Sequence, residues 1–273
     1  MVKILLANSQ SSLVIGVDVK TSELEVLMES NPDRLAIIQG DVSDRSVNQR
    51  AVETAANRRG KLDSMILNAG ILRPVGPAAE TAVAEWKQLF DVNFFALVHA
   101  VGITCESTLS FGGVAHMTIQ IQLGLPYLRI TKGQVLMTSS GVSLQPFPAW
   151  IAYACSKAAM NCLCSCFPTE EHRVKFLCVT PGIVDSGMQA QVREERKWFV
   201  EVVGWKMILT VSLDESDMGA KQYEWLSSLH AKGELLRPEQ PAGSFARLAL
   251  EGIPTPLNGL VISWNDSSIN GGT

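Results

Sequence analysis

Short apolar runs that end in polar or turn-forming residues recur along this chain. "SLVIGVD" (12–18), "RLAIIQGD" (34–41), "LDSMILNAG" (62–70), "GQVLMTSS" (133–140), "VKFLCVTPG" (174–182) and "GLVISW" (259–264) have the near-continuous hydrophobicity of strands covered on both faces. Between them lie helical patterns at 43–59, 81–103, 149–166 and 241–250, the last with Pro241 suited to a first helical turn. Alternation of the two periods predicts βαβ units and a doubly wound parallel sheet with helices on both faces, in one domain over residues 1–273. In such a sheet ligands bind beyond the carboxyl ends of the strands. Those ends read Asp18, Asp41-Val42, Asn68-Ala69-Gly70, Ser139-Ser140 and Thr180-Pro181-Gly182, small or polar groups that suit a cleft and that turns also favour.

Composition narrows the function classes. With 47% hydrophobic and 18% charged residues the chain can bury a large core, and a net charge of -4 lacks the basic surplus that a nucleic-acid backbone demands. The longest apolar stretch, "WFVEVVGWKMILTV" (198–211), is interrupted by Glu201 and Lys206 and falls short of the ~20 residues of a membrane span. "MVKILLANSQ" makes a poor signal peptide, so a cytoplasmic location is expected, with a small molecule as substrate and neither membrane nor nucleic acid as partner. The six cysteines show no CxxC spacing and the four histidines are scattered, so no metal site is expected and the thiols read as small hydrophobes.

One stretch carries candidate chemistry: "SSGVSLQPFPAWIAYACSK" (139–157). On a helix Tyr153 and Lys157 are one turn apart on the same face. A phenol of pKa near ~10 is a poor acid-base group at neutral pH until a cation stabilises its phenolate, and Lys157 can be that cation. Tyr153 would then donate a proton to a carbonyl oxygen or take one from an alcohol, with Ser140 at a strand end holding the same oxygen. A lone Tyr-x-x-x-Lys pair is common on ordinary helix faces, and it is the surrounding motifs that give it meaning.

Those motifs are "NAG" (Asn68, Ala69, Gly70), Asn93 in "DVNFF", Ser140, "YACSK" (153–157) and "PGIVDS" (181–186), in this order. With them the chain resembles a classical short-chain dehydrogenase/reductase over nearly its whole length, 12–265. "VTPGIVDSGMQ" and "LALEGIPTPLNGLVISWND" are further similar to fungal benzil-reductase-like or sepiapterin-reductase-like members. The resemblance implies a Rossmann-like fold and an NAD(P)-dependent oxidoreductase with Tyr153 as acid-base. Lys157 would lower the pKa of Tyr153 and bind the nicotinamide ribose, Ser140 would orient the substrate carbonyl, and Asn93 would hold a relay water behind Lys157. It further implies Asn68, Ala69 and Gly70 near the adenosine, Asp41 and Val42 at the adenine, and Pro181, Gly182, Val184 and Ser186 at the nicotinamide. Asp18, at the end of its strand, can accept from ribose hydroxyls and repel a 2′-phosphate, which favours NAD, although Lys20 close by suits NADP. Phe147, Trp150, Met188 and the segment to His230 are candidate walls for a fairly apolar ketone or alcohol. Family members assemble as homodimers or homotetramers through the helix after Asn93 and the helix of Tyr153.

The chain departs from the pattern in places. No glycine precedes Gly16, so the phosphate-binding turn, due about 20 residues before the ribose-binding acid, is absent and "MVKILLANSQ" reads as the tail of the first helix. The sheet is accordingly expected to lack its first strand, as in a gene model that starts late. Insertions are expected at about 104–120 and 197–213, as retained untranslated sequence or as a genuine lid and helix insertion. Pro168 should end the Tyr153 helix early. The rival to an enzyme is a non-catalytic Rossmann-like scaffold or partner-binding protein that has lost the cofactor.

Overall fold

The computed structural model describes residues 1–8, 12–102, 105–111, 115–121, 123–145, 147–198, 224–226 and 228–270. All six expected strands form: β1 (Val14–Asp18), β2 (Leu35–Gln39), β3 (Ser64–Leu67), β6 (Gln134–Thr138), β7 (Lys175–Thr180) and β8 (Val261–Ser263). Across the stretch read as a possible insertion lies an antiparallel pair, β4 (Cys105–Phe111) and β5 (Ala115–Ile121), which forms a sheet of its own. Of the second expected insertion, residues 199–213 lie outside the described residues. The helices are α1 (Val2–Asn8), α2 (Ser22–Glu29), α3 (Arg45–Arg59), α4 (Val83–Phe90), α5 (Ala96–Val101), α6 (Leu125–Thr131), α7 (Ile151–Glu170), α8 (Gly187–Trp198), α9 (Glu239–Glu251) and α10 (Ser267–Asn270).

The parallel strands fall into two groups. β1 pairs with β2, and β3, β6, β7 and β8 pair in that order, so among the described residues β1 and β3 each keep one open edge. Helix α3 ties the groups together by packing on β1, β2 and α5. Burial follows this arrangement. β6 and β7 are buried along most of their length, whereas every residue of β3 is only half-buried.

Period-two alternation sorts the core into two layers. Val135, Met137, Phe176 and Cys178 point to one face of the sheet and pack with Leu97, Leu128, Met160 and Phe167 from α5, α6 and α7. Leu136, Leu177 and Val179 point to the other face, against Phe245 and Leu248 of α9. Phe167 and Phe176 stack with centroids 4.2 Å apart. Along α7 the cysteines divide as helical spacing requires, Cys164 inward and Cys162 and Cys166 outward.

Two local expectations are corrected. Helix α7 does not stop early at Pro168 but continues to Glu170. Packing holds this last turn: the Ser165 hydroxyl donates to the Gly259 carbonyl at 2.9 Å, and Pro168 lies over Gly259 so closely that a Cβ there would be 3.0 Å from the proline ring. Gly259, at φ +82°, permits that approach in a conformation other residues avoid. The helix expected over 81–103 is interrupted by a π turn, Asp91–Phe95, that separates α4 from α5.

Phe176→Ala should cost about 3–5 kcal/mol through the cavity it leaves, read as a fall in denaturant midpoint with little change in slope, whereas the exposed Leu144→Ala should leave the midpoint where it is.

Candidate active site

The ends of β3, β6 and β7 bring the "NAG" loop, the serine pair and the "PGIVDS" loop to one edge of the sheet. Ser140 follows β6 in an extended conformation, φ -152° and ψ 149°. Its hydroxyl neighbours that of Tyr153, which stands in the first turn of α7. Tyr153 is 6% exposed, and Trp150 meets its ring edge-on with centroids 6.2 Å apart. One turn on, Lys157 is 3% exposed, with Nζ 5.8 Å from the Tyr153 ring centre and donating to the Thr138 carbonyl at 2.8 Å. Thr138 in turn donates its hydroxyl to Asn68 Oδ1 at 3.0 Å, which links the ends of β3 and β6.

Burial sets the protonation of both groups. It raises the Tyr153 pKa above that of a free phenol, outweighing the Ser140 hydrogen bond that acts the other way. This corrects the expectation that Lys157 brings the phenol down toward neutral pH: in this environment the phenol keeps its proton. Burial also lowers the Lys157 pKa to about 8, against a smaller upward pull from Cys178 beneath it.

Asn93 sits in the π turn and is completely buried. Its Oδ1 accepts from the Ile71 amide at 2.8 Å, and its Nδ2 donates to the Ile71 carbonyl at 2.9 Å and to Ser156 Oγ at 3.2 Å. Ser156 passes the contact on to the Tyr153 carbonyl at 2.8 Å. The side chain therefore acts as a clamp between the loop after β3 and helix α7. Gly70 lies directly over this cluster: a Cβ there would come within 3.3 Å of Asn93 Oδ1 and 3.5 Å of Lys157 Nζ.

The remaining predicted residues line the strand ends. Asp18 is exposed and accepts from the Lys20 amide at 2.9 Å, and Asp41 accepts from the amide and hydroxyl of Ser43, both at 2.8 Å. The Val42 carbonyl accepts from Asn48 at 2.7 Å. Asn68 and Ala69 are exposed, as is Gly182, while Pro181 is half-buried. Val184 bridges in parallel to Leu236, and Ser186 Oγ accepts from the Gln189 amide at 3.4 Å, at the start of α8. A cavity of about 370 Å³ opens beside the site, lined by Gly70, Ile71, Leu72, Gln88, Met188 and Gln191. Leu72 and Met188 also belong to the apolar cluster around Tyr153, together with Phe147 and Trp150. Thr138, Ser156, Gln88 and Gln191 are absent from the sequence reading. A polar residue at a strand end and a serine beside the lysine were the only signals for the first two.

Known proteins are similar to this chain in sequence and fold. The family model for short chain dehydrogenases matches residues 2–197. The chain belongs to the short-chain dehydrogenase/reductase family. It is thus a member of a family of NAD(P)-dependent oxidoreductases. The chain is 34% identical to the uncharacterized oxidoreductase YIR035C of Saccharomyces cerevisiae over 98% of this chain and 91% of that one, and their structures superpose with a TM-score of 0.78. It is 31% identical to benzil reductase ((S)-benzoin forming) of Saccharomyces cerevisiae over 98% of this chain and 92% of the relative. The crystal structure of the KRED1-Pglu enzyme superposes with a TM-score of 0.75 at 32% identity, covering 95% of this chain and 92% of that one. Among the described residues no helix is long and apolar enough to cross a membrane, and no group of three or more His, Cys, Asp or Glu could hold a metal ion.

Asn93→Ala should leave the Ile71 amide and carbonyl without their buried partner, at a cost of about 1–3 kcal/mol in denaturant unfolding and with faster hydrogen exchange at the Ile71 amide.

Proposed function

We propose that this protein is an NAD(P)H-dependent carbonyl reductase for a small, fairly apolar ketone, with Tyr153 as the proton donor. The observation that carries this reading is the geometry: a buried Tyr153 beside Ser140 at the end of β6, with Lys157 one turn on along the same helix face. A protonated phenol so placed can serve as general acid in carbonyl reduction. A nicotinamide dinucleotide supplies the hydride when bound. The Ser140 hydroxyl donates to the carbonyl oxygen and orients it. As negative charge grows on that oxygen, the Tyr153 proton passes to it, giving the alcohol and leaving a phenolate that the Lys157 cation stabilises.

The residues present fit such a cofactor at its ribose and nicotinamide ends. Gly70, with no side chain, lets the loop after β3 lie close on Asn93 and Lys157, whose ammonium would bind the nicotinamide ribose; the exposed Asp18 suits free ribose hydroxyls and hence NADH, and Pro181, Gly182, Val184 and Ser186 would flank the nicotinamide. Asp41, Val42, Asn68 and Ala69 lie where the adenosine would run. Apolar walls at Phe147, Trp150 and Met188 suit an aryl or alkyl ketone, in keeping with the diketone named for the benzil reductase relative.

Titration with NADH and NADPH, followed by tryptophan fluorescence, tests the reading. Saturable binding, tighter for NADH, with ketone reduction that Tyr153→Phe lowers by about 10²–10⁴ at unchanged cofactor affinity, is the expected result. No binding at millimolar cofactor would overturn it and favour the non-catalytic scaffold. The pH profile adds a second check. Lys157 is charged below about 8 and neutral above, so kcat/KM for reduction should fall as pH rises through that value, and Lys157→Met should show low activity without that limb.

A further inference from the structure

Three side chains on α7 share one face at intervals of four residues: Tyr153, Lys157 and Asn161. The first two belong to the proposed chemistry. Asn161 reaches the same loop from one turn further along, and it is nearly buried, at 9% exposure. Its Oδ1 accepts from the Ser139 hydroxyl at 2.6 Å and its Nδ2 donates to Ser143 Oγ at 2.8 Å. Ser143 spends its own proton on the Ser140 carbonyl at 2.5 Å, and its amide donates to the same oxygen at 3.1 Å. Every donor and acceptor in this chain runs in one direction, from Ser139 through Asn161 and Ser143 to Ser140. The residue before Ser140 and the residue three after it are thus both fastened to one amide on α7.

We propose that Asn161 is a positioning residue, which sets the aim of the Ser140 hydroxyl through Ser143. The inference rests on the carbonyl-reductase reading and deepens it. Ser140 lies between strand β6 and a single 3₁₀ turn, Gly141–Ser143, and an unanchored turn of that length offers little restraint on its own. Because Asn161 and the reacting Tyr153 stand on the same helix, the carbonyl-orienting hydroxyl and the proton donor are referred to one rigid body. Small errors in such an alignment are costly, since misplacement by about 1 Å can reduce rate by ~10².

The test is a double-mutant cycle. Asn161→Ala and Ser143→Ala remove the same link from its two ends. Each should lower kcat and kcat/KM together by about tenfold, and combining them should be no worse than either alone. On a Ser140→Ala background Asn161→Ala should have no further effect, while Cys162→Ser, on the outward face of α7, should match wild type. Hydrogen exchange gives a readout independent of turnover: the Ser143 amide should lose protection in Asn161→Ala. An Asn161→Ala effect of equal size with and without Ser140 would overturn the proposal, as would unchanged protection at the Ser143 amide. If the wild-type chain reduces no ketone with NADH or NADPH, the carbonyl-reductase reading fails, and the exchange measurement alone decides whether Asn161 holds the Ser140 loop.

Discussion

A lysine ammonium withdrawn from water is the constraint around which this site is arranged. Lys157 is 3% exposed, and a charge so placed is tolerated only where polar atoms replace its hydration. The Thr138 carbonyl does so at 2.8 Å, and it is available because β6 ends at that residue. The rest follows from keeping this arrangement intact. Thr138 binds Asn68, which fixes the end of β3; Gly70 lies over Nζ without a side chain in the way; and Asn93 anchors the loop that begins there. The downward shift of the lysine and the upward shift of the tyrosine share one cause, loss of solvent, so proton donor and neighbouring cation are tuned by the same enclosure.

The backbone of helix α7 unites the site's two tasks. Its inward face fills the core with Met160, Cys164 and Phe167, while the stripe of Tyr153, Lys157 and Asn161 faces the strand ends. Packing against β6 and β7 therefore determines where the reactive groups stand. The cavity beside the site is built differently, from the loops after β3 and β7 and from α4 and α8, whose Gln88, Met188 and Gln191 line it.

Much of this was legible in the sequence because the signals are local. The apolar runs located all six parallel strands, and the Tyr153 to Lys157 spacing located the reactive face. What escaped the sequence depends on tertiary surroundings. Pro168 alone predicts an end to α7, yet the turn survives because Ser165 and Gly259 hold it. Spacing shows that a cation neighbours the phenol but not how little water reaches either, so the direction of the Tyr153 shift came out reversed. The engagement of both ends of the Asn93 amide with Ile71, a residue 22 positions away, left no trace in the sequence. Asn161 carries no motif, and only the fold brings it to Ser139 and Ser143.

The π turn at Asp91–Phe95 gives the helix containing Asn93 a phase as well as a sequence. Each residue of a regular α-helix turns the chain by a fixed angle, so one residue accommodated in a wider turn rotates everything after it. Leu89 before the turn and Leu97 after it are both buried, and Asn93 between them is aimed at Ile71. The site is consequently sensitive to the number of residues in this segment and not only to their identity: removal of a single residue would rewind the turn and swing the amide off the loop. The length of this segment is as much a part of the site as the identity of Asn93.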